Sequence, residues 1–199
     1  MQPQRSTNSK IGEEIAARRA KAFALIKARS FRRGQFVLAS GKTSEYYLDM
    51  KPTMFDPEGA YALAELLLDQ LADVSADYAG GLALGAVPLI STVTMLSHQR
   101  NRPISGFFVR KEVKDHGTMR LVEGLGDGDT LKGKKVVIID DVTTTGGSSM
   151  IAVDAAQKSG AEVILGLSVV DRNEGAAETY AKRGIPFRAV FTARDFMNA

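Results

Sequence analysis

From Tyr78 onward, short apolar runs alternate with amphipathic stretches, and this alternation constrains the fold more than any other feature of the chain. Residues 78–84, 104–109, 136–139, 163–170 and 187–191 read as strands, and residues 88–98, 148–159 and 174–183 as helices. Apolar strands joined through helices imply βαβ crossovers, hence an α/β fold with a mainly parallel sheet flanked by helices on both faces. Ligands of such sheets gather outside the carboxyl ends of the strands. The loops after Leu82, Val109, Ile139 and Val170 are therefore expected to converge on one site.

The first third reads differently. Residues 13–28 carry apolar positions at helical spacing, and two short β-like runs flank "ASGKTSE", as in a hairpin. In "DPEGAYALAELLLDQLAD", Asp56 stands as N-cap and Pro57 at the first helical position, so a helix starts there. The 199 residues are expected to form one domain, with an N-terminal helix and hairpin hood over about 1–55 and an α/β core over about 56–199. The opening "MQPQRSTNSK" has no apolar segment and reads as a frayed polar lead-in rather than a signal peptide.

Composition excludes several functions. There is no cysteine, which removes disulfide and thiolate chemistry and fits a reducing, cytoplasmic setting. The longest apolar run, 82–96, is broken by Gly85 and Pro88 and does not suit a bilayer, so no membrane partner is expected. A net charge of +3 is too mild for a nucleic-acid binder. Arg29, Arg32 and Arg33 read as solvated surface.

The chemistry concentrates in "VVIIDDVTTTGGSS", residues 136–149. Asp140 and Asp141 end a buried strand, and Val142, Thr143, Thr144, Thr145, Gly146, Gly147 and Ser148 lead into a helix. Glycines let the backbone turn sharply and approach a ligand. Amide groups at a helix start, with hydroxyls around them, form a phosphate site. Carboxylates beside a phosphate would repel it unless they meet hydroxyls or a metal ion; a ribose diol satisfies them. The stretch thus describes a phosphorylated sugar. The plainer alternative is a polar strand end, a turn and a helix cap, but the fixed order of strand, acids, hydroxyls, glycines and helix favours the ligand. It is not a P-loop, because no Lys follows the glycines.

This stretch closely resembles the phosphoribosyl-pyrophosphate signature of type I phosphoribosyltransferases. A second stretch, "RKEVKDHG", packs Arg110, Lys111, Lys114 and His116 into seven positions at the start of a long polar loop. Such a loop suits a lid that stabilises a highly charged leaving group and excludes water. Alone it could equally be a solvated charged loop, but it resembles the catalytic loop of orotate phosphoribosyltransferases. "FVLASGKTSEYYLD" is similar to that family's N-terminal hairpin, "LALGAVPL" to its pyrophosphate-side loop, and Asp171-Arg172 to its Asp-Arg pair.

The resemblance implies transfer of phosphoribosyl from phosphoribosyl pyrophosphate to orotate, giving orotidine 5′-phosphate and pyrophosphate. It implies Mg²⁺ bound mainly through the substrate, and a homodimer whose lids reach into the partner's site. It assigns the 5′-phosphate to residues 143–148, the ribose to Asp140 and Asp141, orotate to Thr144 and Arg172, and pyrophosphate to Arg110, Lys111, Lys114 and His116. Ala39 stands where several bacterial members have Lys, with Lys42 or Lys51 as candidate substitutes. The alternatives are transfer to another base, or a non-catalytic regulator that senses phosphoribosyl pyrophosphate.

Overall fold

The computed structural model describes residues 4–37, 41, 43–111 and 121–199, with side chains from residue 12 onward. Helix α1 (Gln4–Arg29) leads into a hairpin of β1 (Phe31–Val37) and β2 (Thr43–Leu48). Two helices follow, α2 (Lys51–Met54) and α3 (Pro57–Gln70). Next come β3 (Tyr78–Gly80), α4 (Val87–Gln99), β4 (Ser105–Gly106), β5 (Phe108–Val109) and β6 (Val122–Glu123). The remaining elements are β7 (Lys135–Thr143), α5 (Gly147–Lys158), β8 (Glu162–Asp171), α6 (Ala176–Ala181), β9 (Phe187–Thr192) and α7 (Ala193–Met197).

Strands β4, β3, β7, β8 and β9 form a five-stranded sheet in that order, every pair parallel. The winding reverses between β3 and β7, and at such a reversal a crevice opens outside the carboxyl ends of the strands. Side-chain alternation along β7 divides the core. Val137 and Ile139 join the cluster that holds Leu67 of α3 and Val93 of α4, whereas Val136 and Ile138 join the one that holds Val153 of α5 and Tyr180 of α6.

Helix α3 starts as its sequence predicts. Asp56 Oδ1 accepts the Gly59 N–H at 2.9 Å, with Pro57 next to it. Such a cap contributes about 1 kcal/mol. Arg29 pairs with the same carboxylate at 2.7 Å, so this arginine ties the end of α1 to the start of α3 rather than lying merely solvated. Arg18 and Arg100 reach Asp69 from α1 and from the end of α4, at 2.9 and 3.0 Å, and seat α1 on α3.

Other boundaries depart from expectation. Helix α1 begins at Gln4, so most of the supposed lead-in is helical. Strand β3 stops at Gly80 rather than residue 84: its pairing with β7 ends at Gly80 and Ile138, and only an isolated parallel bridge between Leu82 and Val109 lies beyond it. The single strand read over 104–109 is two, because the chain leaves β4 and β5 pairs antiparallel with β6. Among the described residues no helix is long and apolar enough to cross a membrane.

Candidate active site

Strand β7 runs through both acids to Thr143, further than the apolar run alone suggests. The pleat therefore sends the two carboxylates to opposite faces. Asp140 follows Val136 and Ile138 toward α5, where its Oδ2 accepts the Ser149 hydroxyl at 2.7 Å. Its Oδ1 accepts the backbone N–H of Asp141 at 3.0 Å. Asp141 turns to the other face, against the loop after β3: a Cβ on Gly85 would stand 2.7 Å from Asp141 Oδ1. Burial, and then the charge of Asp141, push the Asp140 carboxyl up to about 7.

Beyond the acids the chain bends into a cup. Asp140 and residues 142–148 line a cavity of about 80 Å³. Gly146 takes a left-handed conformation, φ 82°, that suits glycine, and the twelve-residue helix α5 starts at Gly147. Unpaired amides and the positive end of the helix dipole thus face the cup. Thr143 is 2% exposed and its Oγ1 has no hydrogen-bond partner, although a buried hydroxyl usually finds one. Thr179 of α6 braces the cup by donating to the Thr145 carbonyl at 2.7 Å.

The four loops do converge. Ala83 N–H donates to Val109 O at 2.8 Å, Gly85 abuts Asp141, and Arg172 N–H donates to Thr143 O at 2.9 Å. The Arg172 side chain spans to the hairpin: its guanidinium lies 4.6 Å from the Tyr46 ring centroid, one nitrogen is 3.4 Å from Ser44 Oγ, and Nε meets Glu174 at 3.1 Å. The Glu174 pair joins near neighbours in the chain, whereas the contacts to Ser44 and Tyr46 reach β2. Burial, opposed by the Arg172 charge, raises the Tyr46 phenol above its usual value.

A larger cavity, about 600 Å³, lies beside the loop after β3, lined by Ala83, Leu84, Phe108, Arg110 and Lys111. Leu84 stands 83% exposed at its rim. Arg110 N–H donates to Leu121 O at 2.9 Å and its side chain faces Glu123 at 3.8 Å. Lys114 and His116 lie outside the described residues, as do Ala39 and Lys42. Lys51, the other candidate cation, pairs with Asp49 at 2.7 Å; that partner, and more weakly Asp141, raises its pKa.

No protein-family model matches the chain. Individual relatives do. The chain is 52% identical over 183 residues to the orotate phosphoribosyltransferase of Rhodopseudomonas palustris (strain TIE-1), covering 92% of this chain and 98% of the relative. It is 50% identical over 184 residues to that of Bradyrhizobium diazoefficiens, with the same coverage of both. The chain belongs to the orotate phosphoribosyltransferase family. Its fold agrees: the Mycobacterium tuberculosis H37Rv orotate phosphoribosyltransferase, solved with 5-phospho-α-D-ribosyl 1-diphosphate, superposes with a TM-score of 0.76 at 33% identity, over 90% of this chain and 99% of that one. The sheet and its flanking helices are the type I phosphoribosyltransferase fold.

Within the family frame, several contacts were not visible in the linear pattern. Ser149 is the second serine of "GGSS", and only its position in the first turn of α5, under β7, identifies it. Thr179 has no local sequence signal at all. Among the described residues no three acidic or histidine side chains converge as a ready ligand cage, and of the two acids only Asp140 lines the cup, so a hard divalent ion held there would need oxygens from a bound ligand as well.

Proposed function

We propose that this family member joins orotate N1 to the anomeric carbon of phosphoribosyl pyrophosphate, the N1 proton being released and pyrophosphate leaving on the electron pair of the broken C–O bond. The observation that carries the assignment of the site is the cup: a helix start and a hydroxyl-rich turn around one small cavity, with an acid on either face of the strand leading into it. Residues 143–148 take the 5′-phosphate, with Val142 forming the floor. Asp140 and Asp141 take the ribose hydroxyls.

Arg172, held over Tyr46, offers a two-pronged donor for the orotate carboxylate, and Thr144 faces the same base. Arg110 and Lys111 open onto the larger cavity beside the Ala83–Leu84 loop, and with Lys114 and His116 they meet the pyrophosphate. When bound with the diphosphate, Mg²⁺ neutralises its charge. The chain's own residues position the reactants and stabilise charge at the leaving oxygens. The chain works as one domain, a hood over an α/β core, in a cytoplasmic homodimer whose lids cross between subunits.

Orotate consumption followed by ultraviolet absorbance tests the reaction. Loss that requires both phosphoribosyl pyrophosphate and Mg²⁺ is expected. Binding of phosphoribosyl pyrophosphate without orotate loss would move the assignment to another base or to a sensor.

A further inference from the structure

The Asp140 carboxylate is held by two donors from its own chain. Ser149 is 1% exposed and donates to Oδ2 at 2.7 Å, while the Asp141 N–H occupies Oδ1 at 3.0 Å. A terminal carboxylate torsion is broad when free. Two donors on its two oxygens fix its plane and leave one lone pair on each oxygen facing outward. Ser149 lies beside Tyr180 of α6, which is also 1% exposed. The phenol ring cannot drift: it stacks on Phe187 at 4.9 Å and lies so close over Gly166 that a Cβ there would be 2.3 Å from the ring.

A serine hydroxyl has one proton. A helical serine commonly donates it back to the carbonyl four residues earlier. Here the serine proton goes to Asp140 Oδ2 instead, and that hydrogen bond favours the ionised, acceptor-only carboxylate. We propose that Ser149 is a positioning residue that sets the orientation of Asp140 toward the sugar hydroxyls. The proposal rests on the reading that Asp140 meets the ribose.

The test is a binding cycle by calorimetry, with phosphoribosyl pyrophosphate and Mg²⁺. Ser149→Ala is expected to weaken binding about tenfold, the range seen when partners behind a ligating group are removed. In an Asp140→Asn background Ser149→Ala should add nothing, because the group it orients has lost its role. Wild-type affinity in Ser149→Ala would overturn the proposal, as would an equal loss in both backgrounds, the behaviour of a merely structural hydrogen bond. If Ser149→Ala does not fold, Ser149→Cys, which keeps the volume but offers only a weak donor, carries the same cycle with the same refuting outcomes. Wild-type protein that binds no phosphoribosyl pyrophosphate would instead overturn the functional reading itself, and this proposal with it.

Discussion

A single methyl group at Gly85 should separate activity from stability. The glycine lies in the loop after β3, and a Cβ there would stand 2.7 Å from Asp141 Oδ1 and 3.3 Å from its carboxyl carbon. To restore an ordinary contact the carboxylate must retreat by about 0.7 Å. Asp141 ends in a flexible side chain, so the backbone need not move, and replacing glycine also trims the entropy of the unfolded chain by about 0.4–1 kcal/mol. The two effects oppose each other. The melting temperature of Gly85→Ala should therefore stay within about 3 °C of wild type, given about 2–4 °C per kcal/mol at this size. Catalysis responds differently. A misplacement of about 1 Å in a positioning group can cost about a hundredfold, so kcat/KM for phosphoribosyl pyrophosphate should fall by roughly ten- to fiftyfold. Steady-state kinetics beside a thermal melt reads both numbers. Unchanged kcat/KM would refute the reasoning, because the carboxylate would have moved without consequence. A collapse of the melting temperature would show that the loop, not the acid, had to yield.

Arg172→Ala should raise KM for orotate about a hundredfold or more while lowering stability by only about 1–2 kcal/mol, the worth of one ring contact and one part-exposed ion pair. Arg172→Lys should not rescue it, because an ammonium lacks the fork; full rescue would argue for simple charge attraction. Asp140 makes a pH prediction. Its folded carboxyl is raised to about 7, against about 3.9 unfolded, so between these values the folded protein holds a proton that the unfolded chain has released, and stability falls as pH rises. Sugar hydroxyls donate to the ionised form and should expel that proton. Calorimetry at pH 7 in buffers of different ionisation enthalpy should show proton release on phosphoribosyl pyrophosphate binding, reduced in Asp140→Asn; equal release in both would remove Asp140 as the source.

Much of this architecture was legible in the sequence because it depends on local order. Strand, acids, hydroxyls, paired glycines and helix are contiguous, and the Asp56–Pro57 start of α3 is a short-range signal. What stayed hidden depends on distant packing. Strand β3 ends early because its pairing with β7 stops at Gly80, a limit set by the partner strand and not by the run of apolar residues. β1 begins at Phe31 although "FRRGQ" is polar, because one buried ring anchors a strand whose other residues are mostly exposed. Helix α7 had a readable signal in its Thr192–Asp195 capping box, but five residues are too few for periodicity to register. The supports of the site, Ser149 and Thr179, come from two helices whose angle to β7 no linear pattern records.

The opposed faces of the two acids have a consequence for sugar selectivity. Adjacent residues on a strand cannot both turn to the same side, so Asp140 and Asp141 approach from either flank of the backbone, at a separation that the strand fixes. On the proposed assignment, a vicinal diol satisfies both flanks at once. A deoxy sugar leaves one carboxylate without its donor in a partly dehydrated site, at a cost of about 1–3 kcal/mol, or roughly tenfold or more in affinity. Preference for ribose over deoxyribose would then come from the pleat of β7 itself, with no pocket wall needed to exclude the smaller sugar.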